Sequence, residues 1–545
     1  MLGNLRWTDN FVRLRIFSIV MLAACSLALF ADDNHSHLAP GEKLGSVSFP
    51  ISCTSGVQKS FERGVALLHS FEYEAAEDQF KEVARQDPSC AMAAWGQAMS
   101  LYHQLWNTPT KADLQRGREL LAQAQELKPK TERESEYISA LAVFYRDSDK
   151  LEHSRRAEAY AAAMGKLHEH YPKDHEAAVF YALSLLSSSS TEDPTLANER
   201  KAVAILNKLF EQDPGHPGIA HYIIHACDNP SMANLGLAAA RKYAGIAPSS
   251  PHAVHMPSHI FARLGLWQDD IQSNEAALRA AEKMEAMHLH VMHHKMHSLD
   301  FLEYAYLQIG DDQKAKAEWD ELQTVKKEDV EEEFKDYYDS MQAGFAARYT
   351  LERHQWYEAL TLQPPQGAHP SAQALTFWAH AVAAGHLRDA AAAQSAADQF
   401  DALLEATRKS DKPQQAKSLA NSHDEAHAWL SFAQGKNEDA LLLLRAVANK
   451  QDKVGKGETE TPAREMLADM LLEMNRPEEA LREFELSLKT DPNRFNGLYG
   501  AARAAELAQQ KEKAAGFYEQ LIKNCAGSNS DRPELAKAKS LMAAR

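Results

Sequence analysis

Apolar residues along this chain recur at i, i+3 and i+4 over most of its length, and no stretch sustains the alternation of a half-buried strand. That rhythm predicts a succession of amphipathic helices, and a longer period punctuates it. From Thr461 to Arg494, the small residues Ala468 and Ala480 fall where two helices would cross closely. Phe484 would pack between them, and Pro492 closes the unit. Phe495 to Asn524 continues the pattern with Ala502, Ala514 and Tyr518, and Val57 to Cys90 carries Gly64, Ala76, Phe80 and Pro88 at the same offsets. A 34-residue unit of this kind is an antiparallel helix pair that buries its apolar faces by stacking on the next pair. The expected fold is all-α: a right-handed superhelix, or α-solenoid, of about eleven such pairs, several of them degenerate or lengthened.

Breaks in the periodicity predict loops at Ser187 to Pro194, Lys409 to Gln414 and Gln451 to Pro462. The last is charged and contains glycine. It is expected as a hinge between an array over residues 52–450 and C-terminal repeats over 461–545. Repeat stacking accommodates the 545 residues without one large core. A hydrophobic content of 45% excludes general disorder. The net charge of −17, from 59 basic and 76 acidic residues, argues against a nucleic-acid partner, since there is no basic excess to meet phosphates.

The N-terminus reads as an export signal over residues 1–31. Arg6, Arg13 and Arg15 precede an apolar run from Ile16 to Phe30 that is too short and wrongly flanked for a membrane span. Two cleavage readings are open. Leu22-Ala23-Ala24-Cys25 resembles a lipobox, which would leave a lipid anchor on Cys25. Cutting after Ala31, before Asp32-Asp33-Asn34, is the simpler reading. Either way the protein is expected outside the cytoplasm, periplasmic, outer-membrane-associated or secreted, where disulfides form. Cys53 precedes the first helix of the first repeat and Cys90 follows its second. A bridge between them is geometrically reasonable, and two buried thiols are the alternative.

Histidines carry the most informative chemistry. Eleven of the 25 lie between His216 and His297. His221 and His225 are four apart, and 34 residues on, His255 and His259 are four apart again. Imidazoles in phase with a solenoid would lie on one wall of it, one repeat above the next.

Four segments give the chain a resemblance: Leu67-Leu68-His69-Ser70-Phe71; Ala94-Trp95-Gly96; His216-Pro217-Gly218 with His221-Tyr222-Ile223-Ile224-His225; and His255-Met256-Pro257-Ser258-His259-Ile260-Phe261. Over Ser52 to Gly310 it resembles a bacterial family of exported tetratricopeptide repeat proteins with this His-rich signature. The resemblance implies an architecture and not an activity. In the wider superfamily, positions 2, 5, 9, 12 and 13 of each first helix line a concave groove that grips peptides. With Pro217 and Pro251 as first positions, His221 and His255 fall at position 5, His225 and His259 at position 9, and His252 at position 2. The turn glycines Gly265 and Gly310 carry the register into a lengthened third repeat, where His297, Asp300 and Tyr304 map onto His252, His255 and His259.

The chemistry this suggests is metal binding. Helical i, i+4 histidines can share one ion, and imidazole suits Zn, Cu or Fe. The candidate ligands are His221, His225, His252, His255, His259, His297 and Asp300, with Cys227 and Asp228 as weaker additions. The competing reading is a groove surface that hydrogen-bonds a peptide or responds to pH. Pro257 would either kink one helix between His255 and His259 or start a short helix of its own.

Other groups point less clearly. His69 and His103, both at position 13, and Trp95 at position 5 suggest ligand-groove contacts, as Tyr304 does. His288, His290, His293, His294 and His297, interleaved with Met284, Met287, Met292 and Met296, resemble a copper-binding tract but are better explained as a packing helix. His423-Asp424-Glu425-Ala426-His427 lacks the glutamate that a zinc protease needs directly after its first histidine, so structural histidines are expected there. No phosphate loop, nucleophile elbow or CxxC is present. Three functions are carried forward: an exported scaffold holding a transition metal, ligand or peptide; a metalloenzyme with Asp300 or Tyr304 assisting; and a metal-free protein-binding adaptor.

Overall fold

The computed structural model describes residues 42–544, apart from 106–107, 191–192 and 286–291; residues 1–31, where the signal and the Cys25 lipobox are expected, lie outside them. All the regular elements described are helices, and they pack in consecutive pairs from Gln58–His69 with Tyr73–Gln86 to Phe495–Leu507 with Lys511–Asn524. No described helix is long and apolar enough to cross a membrane. Two units depart from the ideal. The partner of Lys335–Leu351 shrinks to the single turn Trp356–Ala359, and Pro251–His255 is followed by a separate Pro257–Arg263 segment.

Pairs close where an aromatic ring lies on a residue with little or no side chain. Phe80 covers both Gly64 and Gly96, where a Cβ would come within 2.7 and 2.4 Å of the ring, and Phe484 does the same to Gly500. Ala76, Ala468, Ala480 and Ala502 are fully buried beside them. Any larger residue at these crossings would force the helices apart, which is why the 34-residue pattern is so visible in the sequence. The Cys53–Cys90 bridge forms, with Cα atoms 5.0 Å apart, and ties the lead-in segment to the end of the first pair.

The array curls far enough to bring its ends onto its middle. The lead-in segment reaches the fifth pair, with Ser46 N–H donating to the Gly215 carbonyl at 3.0 Å. The Gln58–His69 helix packs directly on Pro217–Cys227. From the other side, Trp267 Nε1 donates to the Asn493 carbonyl at 2.8 Å, and the Phe495 amide donates to Gln308 at 3.1 Å. Gly265 turns with φ +61°, and a Cβ there would lie 2.2 Å from the Pro492 carbonyl, so the contact needs glycine twice over. The helix Asn437–Val454 runs past the predicted loop start at Gln451, and the 455–460 segment then folds into the histidine-rich region. The wall expected to line an open groove is therefore enclosed. His221 is 0%, His255 3% and His252 7% exposed.

Candidate metal centre

The Pro217–Cys227 helix begins with a proline at its first turn and a capping imidazole before it, His216 Nδ1 accepting from the Ile219 amide at 3.3 Å. From this start, His221 and His225 project one turn apart toward Pro251–His255. There the His221 Nε2 lies 3.0 Å from His225 Nε2 and 3.0 Å from His252 Nε2. The tautomer of the central ring is fixed by its other nitrogen. His221 Nδ1 lies 2.6 Å from the His69 carbonyl oxygen, which can only accept, so Nδ1 carries the proton. In the neutral ring Nε2 is then a bare lone pair, aimed at two other Nε2 atoms. Four nitrogens held tetrahedrally ~2.1 Å from one ion stand ~3.4 Å apart. The two His221 contacts thus need only a small lengthening to admit an ion, and all three donor atoms lie within 4.8 Å of one another.

An aromatic jacket surrounds this triad. Phe71, held at φ +58°, lies with its ring centroid 4.4 Å from His221, 5.4 Å from His225 and 5.6 Å from His252, and Tyr243 stacks on His221 at 5.1 Å. Burial pushes His221 down to about 3 and His225 and His252 well below the usual imidazole range. All three are neutral at physiological pH, the form a metal requires.

A second triad follows one turn along the same short helix. His255 Nδ1 donates to Asn274 Oδ1 at 2.6 Å; the amide is oriented by its own donation to Asp270 Oδ1 at 2.6 Å, so His255 also presents a bare Nε2. That Nε2 is 3.1 Å from His259 Nε2. His297, hydrogen-bonded through Nδ1 to the Tyr337 hydroxyl at 2.9 Å, brings its ring centroid to 4.4 Å from His255 and 5.5 Å from His259. The three donor atoms, one per ring, lie within 4.8 Å of one another, as in the first triad.

The second triad differs in what stands behind it. His259 Nδ1 donates to Asp228 at 3.0 Å and to Glu458 at 3.1 Å, and Arg263 bridges those carboxylates while donating to the Lys456 carbonyl at 2.8 Å. Burial alone would lower His259, but the two carboxylates outweigh it and hold the ring up at about 10. Burial takes His297 down to about 4 and His255 well below its usual value. Without an ion the His259 ring is therefore an imidazolium whose Nε2–H donates to His255 Nε2, and an incoming ion would have to displace this proton; the carboxylates would then hold Nδ1–H as outer support.

Several expected site residues lie elsewhere. Asp300 is not a ligand: its two oxygens accept from Arg348 at 2.6 Å and Thr459 at 3.2 Å, because the neighbouring Lys335–Leu351 helix presents a buried guanidinium to it. The Tyr304 hydroxyl accepts from Arg494 at 2.6 Å, inside a buried cluster with Glu352 and Glu465. Neither is left for acid–base chemistry at the triads. Trp95 is a core residue packed on Phe49, Tyr137 and Phe180, and His103 stacks on Tyr73 at 4.4 Å. His69 belongs to a saturated cluster: Nε2 meets Glu176 at 2.8 Å, Nδ1 meets the Tyr222 hydroxyl at 2.9 Å, and His216 takes the other Glu176 oxygen at 2.9 Å. Cys227 is fully buried with its Cβ against Gly236, and burial pushes its thiol up to about 12.

His423 and His427 both pair with Asp401, at 3.2 and 3.1 Å, on an exposed face instead of packing inward. Met287, His288 and His290 lie outside the described residues, while His293 stacks on Phe334 at 4.4 Å. Pro257 starts a helix of its own, yet His252 and His255 sit in the short helix before it and not in a loop. Asn274, Tyr337 and Glu458 went unnoticed in the sequence, and Phe71 stood there only as part of a signature segment. Only Asn274, buried mid-helix among polar neighbours, left a local signal there.

No family model matches the chain, and comparison with curated proteins finds no match. Among solved structures it is similar to the human IFIT1 dimer with m7Gppp-AAAA, at 14% identity and a TM-score of 0.35, over 80% of this chain and 90% of that one. It is also similar to the P58(IPK) TPR domain, at 15% identity and a TM-score of 0.20, over 68% of this chain and 99% of that one. The all-helical, paired architecture stands on the contacts described above and not on these scores.

Proposed function

We propose that this protein is an exported helical-repeat scaffold that holds transition-metal ions through two three-histidine centres, His221–His225–His252 and His255–His259–His297. One observation carries the reading. His221 has its only proton committed to a backbone carbonyl, and its lone pair points at two further Nε2 atoms, each at 3.0 Å. All-imidazole donor sets suit zinc, copper or iron. The Cys53–Cys90 bridge accords with an oxidising compartment, and export with or without a lipid anchor on Cys25 remains part of this proposal. Protein or peptide partners would meet the outer surfaces of the repeats, since the histidine wall is enclosed.

Elemental analysis of the protein purified without a histidine tag, before and after incubation with Zn, Cu and Fe salts, tests the reading. The comparison is a His221→Asn/His255→Asn double variant. Asparagine can keep each Nδ1 hydrogen bond while removing Nε2, so folding and metal loss separate. Stoichiometric metal in the wild type and none in the folded variant is the expected result. No metal in either leaves the metal-free protein-binding adaptor as the function.

A further inference from the structure

The two triads share their frame. His252 and His255 are three residues apart on the five-residue helix Pro251–His255, and one goes to each triad. Across from it, the Met292–Gln308 helix presents His294 and His297 at the same spacing. The rings form two rungs: His252 with His294 at 5.9 Å and His255 with His297 at 4.4 Å between centroids. Residues three apart on a helix hold their Cβ atoms about 5–6 Å from each other. Ions seated in both triads would therefore be neighbours, with no room between them for an intervening layer of protein.

Charge argues in the same direction. Six imidazoles supply no negative charge, and the carboxylates of Asp228 and Glu458 stand behind His259 alone. Two dications that close would repel across an enclosed space unless something anionic lay between them. Three rings leave at least one position of a four-coordinate ion unfilled in each triad.

We propose that the triads form a single dinuclear centre, in which two transition-metal ions are bridged by a small anion from solution, with His294 beside the first ion. This rests on the metal-binding reading above and extends it to a pair.

Loading the full protein with Cu(II), followed by metal counting and electron paramagnetic resonance, tests the pairing. Wild type is expected to take up two ions per chain with a spin-coupled spectrum, either strongly diminished intensity or a half-field transition. Adding azide should perturb both ions together. His221→Asn and His255→Asn should each retain one ion with an ordinary mononuclear signal at full intensity. Two ions in wild type with fully intense, uncoupled signals would overturn the pair while leaving metal binding intact. One ion in wild type, lost in only one of the two variants, would also overturn it. No bound copper, zinc or iron in wild type would remove the underlying reading as well.

Discussion

Two buried imidazole clusters lie side by side in this molecule, and they satisfy their nitrogens in opposite ways. In the first, Glu176 sits between His69 and His216 and accepts from both; the Tyr222 hydroxyl donates to the remaining nitrogen of His69, and the Ile219 amide to that of His216. Every ring nitrogen has a protein partner, and the rings can all be neutral around one ionised carboxylate. In the second, His221, His225 and His252, no carboxylate intervenes and the Nε2 atoms face each other. The two are joined, since the backbone carbonyl of His69 fixes the tautomer of His221. Clustering alone therefore says little about metal. What distinguishes a metal site is ring nitrogens converging on one another, with His221 Nε2 a lone pair at their centre.

The sharpest way to break that contrast is Glu176→Ala. It would leave two buried N–H groups without an acceptor in a cluster that is about 1% exposed. A buried donor left without its acceptor costs about 1–3 kcal/mol, so the two together cost roughly 2–6 kcal/mol. The expected outcome is a large drop in the urea midpoint of the metal-free protein, with metal stoichiometry unchanged in the fraction that folds. A small stability change accompanied by loss of metal would mean that the two clusters have been assigned the wrong way round.

Next in size is the tether that holds this region's roof. Cys53–Cys90 closes a span of 37 residues around the helix pair that contains His69 and Phe71. Replacing both cysteines by serine should cost about 2–4 kcal/mol on the loop-entropy account. The metal content of the native protein should stay the same, because Phe71 and His69 are also held by packing on the Pro217–Cys227 helix. Coincident loss of metal, read by elemental analysis of the double serine variant, would show the bridge to be part of the centre.

These contrasts also show what could be read from the sequence. The 34-residue period found the pairs His221/His225 and His255/His259, because helical i, i+4 spacing and repeat register are local properties. It named the third members too, His252 and His297, but not their allegiance. His252 reaches back to the preceding pair, and His255 reaches forward to His297. A position number in a repeat carries no direction. Asp300 failed as a ligand because Arg348 arrives from a helix that begins 35 residues later. Glu458 was invisible for a stronger reason: its contact with His259 spans 199 residues and comes from a segment that looks like a free linker. The groove itself was expected to be open because each repeat seen alone is open. Only the curl of the whole array brings the first repeat and the C-terminal repeats over the wall.

A third test compares the clusters through ligand linkage. An ion that binds only the native state raises stability by about 2.7 kcal/mol at a hundredfold excess over its dissociation constant. Adding metal to the apo wild type should produce a rise of this order in the unfolding free energy. His221→Asn should lose the part contributed by its triad, whereas His69→Gln, which alters only the saturated cluster, should keep the full increment on a lower baseline. An equal increment in His221→Asn would place the ion elsewhere.

The smallest effect separates the clusters by pH. Burial opposes ionisation of Glu176, but its two imidazole partners outweigh it and hold the carboxyl below the usual range. A carboxyl depressed in the native state contributes stability that is complete above its ordinary value of 4.5 and is lost as pH falls toward the depressed one. His69, lowered by burial, has the other window: unfolded chains gain its proton below 6.5 and native ones do not, so stability falls from 6.5 downward. In metal-free wild type the slope should therefore steepen below pH 4.5 by up to about 1.4 kcal/mol per pH unit. Glu176→Gln should remove that lower limb and leave the upper one, as followed by urea titrations from pH 7 to pH 3. An unchanged lower limb would mean that Glu176 is protonated in the native protein. The saturated cluster would then lack the fixed negative charge that sets it apart from its all-imidazole neighbour.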